Sequence, residues 1–328
     1  MGAHAVHKDL DDLAAAARAE LVRVIGASGA WDRDPVWREA FAVVPRHLFV
    51  PYYYAGAVGG QQRLWSGSPD PRARERWVRG AYADVPLATR MRDGELLSSS
   101  SQPSLMAAML TELAVEDGHH VLEVGAGTGY NAALLSHRLG GDCVTTVDLD
   151  PEITESARRH LAAAGYHPLV VTGDGTRGVP ERAPYDRIIA TCTLTRVPRA
   201  WLAQCRPGAR VLTPFATGLA ALTVHDADHA EGRFLHTAAY FVPLRGGIRP
   251  DAEVPHLGAL PRRTREHELF RFLLALTRGS LDPQEAYALW EREDRPVRER
   301  YGITVDGDRE WAWLDGPAGP YAWPLPTA

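Results

Sequence analysis

Cysteine is scarce in this sequence, and its scarcity excludes one class of fold. The 328 residues contain three cysteines, Cys143, Cys192 and Cys205. Three are too few for the disulfide framework of a small secreted domain, and each lies within or beside an apolar run. We therefore predict buried thiols in a protein of the reducing cytoplasm.

Long apolar runs and an excess of basic residues are also absent. No segment approaches the ~20 apolar residues of a membrane span, and the first residues lack the apolar stretch of a secretion signal. The net charge of −5 gives no general attraction to nucleic acid or to anionic membranes. These features predict a soluble, cytoplasmic protein without nucleic-acid or membrane partners.

Histidine is plentiful, with thirteen residues, but metal-ligand spacing is lacking. His119 and His120 precede a predicted strand, and His225 and His229 flank a predicted turn, without cysteine or acidic partners at zinc-like spacing. Solvated loop histidines are the favoured interpretation, and no metal is expected. His47, in the stretch VPRHLFVP, is interpreted as structural.

Three regions differ in pattern along the chain. Residues 1–80 are predicted to form an N-terminal helical region, in which residues 59–80, rich in Gly, Pro and Arg, form an insertion or surface loop. Residues 81–249 are predicted to form the core. Residues 250–328 change character again and are predicted to form a small C-terminal accessory domain with a possible role in peptide recognition.

A cluster of arginines in the N-terminal region and a cluster of tryptophans in the C-terminal region each allow either a structural or a substrate-binding interpretation. Arg72, Arg74, Arg76 and Arg79 could steer an acidic peptide, although a solvated loop face is favoured. Four of the nine tryptophans lie within residues 290–323. A small core is favoured for them over a peptide-binding groove.

From about residue 103 the sequence alternates between helical and strand patterns. Apolar strands such as HVLEVG and CVTTVDL alternate with helices of 10–15 residues, which predicts a parallel sheet covered on both faces. LAALTVHD and GRFLHTAAYFVPL follow without a helix between them and predict an antiparallel hairpin at the end of the sheet. The predicted fold class is α/β, with a Rossmann-like, mostly parallel sheet.

The segment VLEVGAGTGY joins a predicted strand to a predicted helix by a glycine-rich turn. Glycine lets the backbone approach a ligand closely, and the N–H groups of the following helix point into such a site. A dinucleotide-binding turn would need the spacing G-x-G-x-x-G, but its sixth position is Tyr130. A nicotinamide-dependent oxidoreductase is therefore disfavoured, while a tight connection without a ligand stays open.

The spacing G-x-G-x-G, preceded by Glu123, resembles motif I of class I S-adenosylmethionine-dependent methyltransferases. Asp148 ends the next predicted strand nineteen residues after Gly129, close to the ~20 residues at which an acid bonds ribose hydroxyls. Asp150 is interpreted instead as a helix N-cap beside Pro151. The resemblance implies S-adenosylmethionine as cofactor and S-adenosylhomocysteine as product, with contacts from Glu123, Gly125, Gly127, Gly129, Asp148, Leu149, Asp174 and Gly175.

Within that class, the chain resembles the protein-L-isoaspartate O-methyltransferases. The stretches VPRHLFVP, Gln-Pro after serines, VLEVGAGTGYNAALL, GDGT and APYDRIIATC occur in the order found in that family, over roughly residues 35–215. The family's loop ahead of its first helix ends in Thr-Ile-Ser-Gln-Pro, matched here by Ser-Ser-Ser-Gln-Pro at 99–103. The resemblance implies that Ser101 contacts the methyl-acceptor carboxylate and that Ser99 assists.

The serine run and the C-terminal extension resemble an actinobacterial branch of the family, encoded with ribosomally made, macrocyclised peptides (graspetides and lanthipeptides). This resemblance implies an enzyme that esterifies an aspartate side chain of a cyclised precursor peptide, leading to aspartimide or isoaspartate. The alternative is repair of isoaspartate in damaged proteins. A third class, a peptide-binding protein that has lost catalysis, is disfavoured by the intact glycines, Asp148 and Ser101.

The stretch LLSSSSQPSL, residues 96–105, has the composition of a flexible linker. Pro103, however, suits the first turn of a helix, so the serines end at an ordered helix start. We predict a loop that lays hydroxyl groups beside the methyl donor, with Ser98 and Ser100 as no more than a flexible approach. Hydroxyl donors can orient a carboxylate and still leave it nucleophilic.

Overall fold

The computed structural model describes residues 2–32, 34–57, 60–92, 94–246, 257 and 260–325. The chain divides into two compact units. One comprises Met1–His119 and Ala126–Gly173, and the other comprises His120–Gly125 and Asp174–Ala328. Over the described residues, no helix has both the length and the apolar composition needed to cross a bilayer.

Helices and strands occur in the following order along the chain. The helices are α1 (Gly2–Ala27), α2 (Val36–Val43), α3 (Arg46–Phe49), α4 (Pro71–Ala81), α5 (Pro103–Leu113), α6 (Tyr130–Leu139), α7 (Pro151–Ala163), α8 (Arg199–Leu202), α9 (Arg262–Glu266), α10 (Glu268–Leu276) and α11 (Pro283–Arg292). The strands are β1 (Tyr52–Ala57), β2 (Gly60–Trp65), β3 (Leu87–Arg92), β4 (Glu95–Ser100), β5 (Val121–Val124), β6 (Val144–Asp148), β7 (Leu169–Thr172), β8 (Tyr185–Ala190), β9 (Cys205–Phe215), β10 (Gly218–Val224), β11 (His229–Ala238), β12 (Tyr301–Asp306), β13 (Arg309–Leu314) and β14 (Tyr321–Pro324).

The first unit contains an antiparallel sheet, a short parallel strand pair and helices α1 to α7. The antiparallel sheet has the order β2-β1-β3-β4, and β6 pairs in parallel with β7. Aromatic rings from separate helices meet in its core: Tyr130 lies 6.2 Å from Phe41 and 5.6 Å from Phe49, centroid to centroid. The apolar face of α5, including Met106 and Leu110, is buried as well.

The second unit contains a sheet of strand order β5-β8-β9-β10-β11-β12-β13-β14. The pairs β5–β8 and β8–β9 are parallel, and every later pair is antiparallel. All four residues of β5 are buried, as expected of a strand covered on both faces. The predicted α/β pattern and the predicted hairpin, β10–β11, are confirmed.

The C-terminal strands continue the sheet of the second unit, because β12 pairs with β11. Trp290, Trp313 and Trp323 are buried, and the ring of Trp290 packs 5.5 Å from that of Phe270. These contacts agree with the interpretation of the tryptophans as a small core. The boundaries at residues 80 and 249 stay predictions.

The prediction of an irregular loop over 59–80 is wrong. Strand β2 covers Gly60–Trp65, and α4 begins after Asp70, whose side chain accepts a hydrogen bond from the backbone N–H of Arg72. The Asp-Pro pair is a helix-start signal, and Trp77, Val78 and Ala81 form the buried face. The arginines therefore lie on a helix, where Arg79 pairs with Glu75 at 2.9 Å.

Burial of the thiols is confirmed only in part. Cys192 is buried, whereas Cys143 and Cys205 are half-buried, and all three are free thiols. Burial raises the pKa of the Cys205 thiol to about 12, which keeps it protonated and poorly nucleophilic.

Candidate active site

The glycine-rich turn adopts backbone angles that side chains disfavour. After β5, φ is +102° at Gly125, +51° at Gly127 and +86° at Gly129. A Cβ on Gly125 would lie 2.5 Å from Thr191 Oγ1, well inside contact distance. Glycine is therefore required at position 125 for two reasons: the positive φ of the backbone and the close approach of Thr191. Gly129 forms the N-cap of α6 without a side-chain cap.

Asp148, at the end of β6, places a carboxylate beside this turn. It is only 8% exposed, and its Oδ2 accepts a hydrogen bond of 3.3 Å from the backbone N–H of Gly127. Leu149 follows with 41% of its surface exposed. Asp150 is the N-cap of α7 and accepts from the backbone N–H of Glu152 at 2.9 Å, which confirms that interpretation.

Ser98, Ser99 and Ser100 lie in strand β4, here called the serine strand, so the prediction of a loop is wrong for them; Ser101 follows the strand. Within β4, Ser98 and Ser100 are buried while Ser99 is half-buried, the alternation expected when successive side chains point to opposite faces. A Cβ on Gly127 would lie 3.5 Å from Ser99 O and 3.8 Å from Ser98 Oγ. The serine strand therefore runs directly beside the glycine-rich turn.

The helix that follows the serines begins as predicted. Pro103 occupies the first helical position of α5, with Gln102 as N-cap. Asp84 Oδ1 accepts from the backbone N–H of Ser104 at 2.8 Å, and its Oδ2 accepts from Gln102 Nε2 at 3.3 Å. The segment after Ser101 is therefore fixed in position.

A buried arginine holds the end of the serine strand. Arg46 is fully buried, and its guanidinium donates to Ser100 Oγ (3.2 and 3.3 Å) and to the carbonyl oxygens of Ala81 (3.0 Å), Ala83 (3.0 Å), Val85 (3.3 Å), Ser100 (3.4 Å) and Ser101 (3.0 Å). Burial lowers the pKa of Arg46 to about 10, so the side chain stays protonated at neutral pH. Ser100 is thus a structural partner of Arg46. The prediction that Ser98 and Ser100 form only a flexible segment leading to the active site is wrong.

A cavity of about 690 Å³ in the first unit opens beside the serine strand and the turn. Its lining includes Ser98, Gly127, Thr128, Tyr52 and Tyr54. His160, which also lines it, lies with Nδ1 3.0 Å from Thr128 O. Burial lowers the pKa of His160, so the neutral ring donates this bond and helps to fix the turn.

The remaining predicted contacts lie in the second unit. Glu123 on β5 is 1% exposed. Asp174 Oδ1 accepts from both the N–H (2.9 Å) and the hydroxyl (2.8 Å) of Thr176. Gly175 O accepts from Trp201 Nε1 at 2.8 Å, and a Cβ on Gly175 would lie 2.6 Å from Val124 Cγ1. The glycine there is required by close packing.

Sequence reasoning missed Arg46 and Thr191. An arginine flanked by prolines and apolar residues, in VPRHLFVP, is a signal for a buried cation that could have been noticed. Thr191 carries no local signal, since its partner Gly125 is distant in sequence. His47 Nδ1 lies 2.7 Å from Tyr82 Oη, consistent with a structural role. Over the described ranges, no three His, Cys, Asp or Glu side chains cluster to hold a metal ion.

The chain matches a family model described as Protein-L-isoaspartate(D-aspartate) O-methyltransferase over residues 72–248, more than half its length. Protein-L-isoaspartate O-methyltransferase 1 of Archaeoglobus fulgidus is 34% identical over 215 residues, which is 64% of this chain and 87% of that protein. The protein-L-isoaspartate O-methyltransferase of Methanococcoides burtonii is 33% identical over 231 residues, 69% of this chain and 98% of that protein.

Two solved structures resemble the fold. A protein-L-isoaspartate O-methyltransferase aligns with a TM-score of 0.60 at 24% identity and covers 95% of this chain and 100% of its own. A Plasmodium falciparum protein, solved in complex with S-adenosylhomocysteine, aligns with a TM-score of 0.52 at 14% identity, covering 70% and 98%.

Proposed function

Because the chain belongs to the protein-L-isoaspartate O-methyltransferase family, we propose that it esterifies the side-chain carboxylate of isoaspartyl residues in damaged proteins. Its fold is that of the class I S-adenosylmethionine-dependent methyltransferases, and its activity is protein carboxyl O-methylation. The observation that carries the proposal is the serine strand lying beside Gly127, with Ser99 O 3.5 Å from the position of a Cβ there. This arrangement suits a methyl acceptor held next to the cofactor turn.

The cofactor-binding residues fit a nucleoside ligand. S-adenosylmethionine supplies a methyl group on a positively charged sulfonium. Glycines with positive φ at 125 and 127 leave the backbone of the turn without side chains, and the buried carboxylate of Asp148 is an acceptor for ribose hydroxyls. We assign cofactor contacts to Glu123, Gly125, Gly127, Gly129, Asp148, Leu149, Asp174 and Gly175.

Asp148→Asn is expected to weaken S-adenosylhomocysteine binding by about tenfold to thirtyfold. The amide keeps one acceptor oxygen but loses the charge that strengthens hydrogen bonds from hydroxyls. Titration calorimetry measures the affinity. Asp150→Asn is the matched control, since Asn is an equally good N-cap, and its affinity should stay within twofold. Equal affinities for Asp148→Asn and the unaltered protein would remove Asp148 from the site.

Ser101 and Ser99 are the proposed acceptor-binding residues. A carboxylate is already ionised and nucleophilic at neutral pH, so the reaction needs alignment of its oxygen more than a general base. Arg46 contacts the backbone carbonyl of Ser101 and not its hydroxyl, which keeps the hydroxyl available to the acceptor. Ser99, half-buried on the opposite strand face from Ser98 and Ser100, can assist.

Ser101→Ala is expected to lower kcat for methyl transfer by about tenfold or more, since one orienting hydrogen bond to a charged oxygen is lost. Affinity for S-adenosylhomocysteine should change less than twofold. The measurement is transfer of labelled methyl to an isoaspartyl peptide, with Ser104→Ala, on the first turn of α5, as control. Full turnover by Ser101→Ala would assign the acceptor contact elsewhere.

The deciding experiment for the proposed function offers the protein a plain isoaspartyl peptide and its normal aspartyl counterpart. Robust methylation of the isoaspartyl peptide alone supports repair. Absence of methylation, with S-adenosylhomocysteine still bound, contradicts it. If no peptide tested leads to production of S-adenosylhomocysteine, the protein is better described as a binding protein without catalytic activity.

A second candidate is tailoring of a macrocyclised precursor peptide, and the serine run at 98–101 favours it. In this case an aspartate carboxylate is methylated, the following backbone amide attacks the ester, and methanol leaves as the aspartimide forms. The presence of the C-terminal segment does not distinguish peptide tailoring from repair. A structure described as a protein-L-isoaspartate O-methyltransferase aligns with 95% of this chain, so a segment of this length is not specific to tailoring enzymes. A mass gain of one methyl on a cyclised precursor, followed by loss of methanol, would support it.

A further inference from the structure

The loop that follows β8, residues 191–198, begins against the glycine-rich turn. The backbone N–H of Thr191 donates to Val124 O at 2.9 Å, and Thr191 Oγ1 donates to Gly125 O at 2.7 Å. Further along, Thr193 Oγ1 donates to Phe241 O at 3.0 Å. The position of this loop and that of the Gly125 backbone are therefore linked by direct hydrogen bonds.

The other end of the same loop is held by the C-terminal hairpin β12–β13. Glu310 Oε1 accepts from the backbone N–H of Val197 at 2.9 Å, and Glu310 Oε2 lies 3.2 Å from Arg196 Nε. Arg196 also donates from Nη2 to Asp308 O at 2.8 Å, in the hairpin turn. These contacts join residues more than a hundred positions apart in the sequence.

Glu310 is an unusual residue for its position. Its side chain is 1% exposed, and burial raises its pKa to about 7, against the opposing effects of the Val197 amide and Arg196. A buried carboxyl group is costly unless it is hydrogen-bonded or paired, and an apolar residue would fill the space at lower cost. Glu310 also lies outside residues 72–248, the part that matches the family model.

We propose that Glu310 is a positioning residue, through which the C-terminal hairpin holds loop 191–198 and, by way of Thr191, the backbone of Gly125 in the conformation that binds cofactor. The inference rests on the proposed cofactor site at Gly125. It gives the C-terminal segment a function in methyl transfer that is distinct from contact with the peptide substrate. Glu310 acts on the cofactor only through the loop and is not a catalytic residue.

The test compares Glu310→Ala with Glu310→Gln in the full chain. We expect Glu310→Ala to speed hydrogen exchange of the Val197 amide about tenfold or more, and to weaken S-adenosylhomocysteine binding about tenfold, the effect of losing one buried hydrogen bond to a charged group. Glu310→Gln keeps an acceptor oxygen for Val197 N–H, so it should recover most of the protection and affinity. Calorimetry and exchange mass spectrometry measure these effects.

Two controls separate positioning from general stability. Asp306→Ala removes an exposed carboxylate of the same hairpin that pairs with Arg309, and it should leave affinity and exchange unchanged. Ala286→Gly loosens the buried face of α11, and it should lower the melting temperature without changing S-adenosylhomocysteine affinity. A purely structural role for Glu310 would give the same pattern as Ala286→Gly.

The proposal is overturned if Glu310→Ala leaves the exchange of Val197 unchanged, or if exchange rises while S-adenosylhomocysteine affinity stays the same. If Glu310→Ala does not fold, Arg196→Ala removes the contacts of the loop with Glu310 Oε2 and Asp308 O but keeps the Val197 hydrogen bond, so it is judged by S-adenosylhomocysteine affinity, which should fall. Failure of the unaltered protein to methylate isoaspartyl peptides would contradict the proposed substrate. The binding and exchange measurements would still decide the role of Glu310.

Discussion

Replacing Arg46 by methionine is expected to lower the free energy of unfolding by about 4 kcal/mol and the melting temperature by roughly 10 °C. Methionine retains much of the side-chain volume but no donor. Five carbonyl oxygens and Ser100 Oγ would then lose the guanidinium as a hydrogen-bond donor. Each unpaired buried acceptor costs about 1–3 kcal/mol, and partial access of water to these oxygens lowers the total cost. Chemical denaturation measures the loss.

Arg46→Lys and Arg76→Met are the comparisons for this prediction. The single ammonium of lysine cannot span acceptors arranged around a planar guanidinium, so about half of the stability loss is expected to remain. Arg76 is exposed on α4, and its replacement should change stability by less than about 0.5 kcal/mol. A loss below about 1 kcal/mol for Arg46→Met would show that the surrounding carbonyls find other partners.

Gly125→Ala is expected to weaken S-adenosylhomocysteine binding by about a hundredfold. At φ of +102° an alanine is strained, and its Cβ would lie 2.5 Å from Thr191 Oγ1, so the turn has to move. Displacing the turn by a fraction of an ångström would remove the backbone contacts with the cofactor that we propose there, and a hundredfold change in affinity corresponds to about 2.7 kcal/mol. Titration calorimetry gives the affinity directly.

Gly118→Ala is the matched control for Gly125→Ala. Gly118 also has a positive φ, +81°, but a Cβ there meets nothing within 4 Å. Its replacement should cost about 1 kcal/mol of stability and leave cofactor affinity unchanged. An unchanged affinity for Gly125→Ala would place the cofactor away from this turn.

Local sequence signals predicted much of the core and the helical character of the N-terminal region, but not the antiparallel sheet β2-β1-β3-β4 or helix α4. The alternating helices and strands after residue 103 were predictable because apolar periodicity and turn residues act over a few positions. Strand β2 and helix α4 were missed because glycine and arginine obscured the pattern, although Asp70-Pro71 is a helix-start signal. The addition of β12–β14 to the sheet of the second unit depends on pairing with β11, which no local pattern encodes.

By itself, the sequence determined the family, the fold class and the cofactor chemistry, because a glycine-rich turn, an acid at the end of the next strand and Gln-Pro at a helix start are short-range features. Only the tertiary structure decided which serines face the interior, since strand alternation buries Ser98 and Ser100 and leaves Ser99 half-buried. It also brought Arg46 and Glu310 to their hydrogen-bond partners. Their partners lie 35–55 and 113 residues away, and such contacts arise only when the whole chain packs.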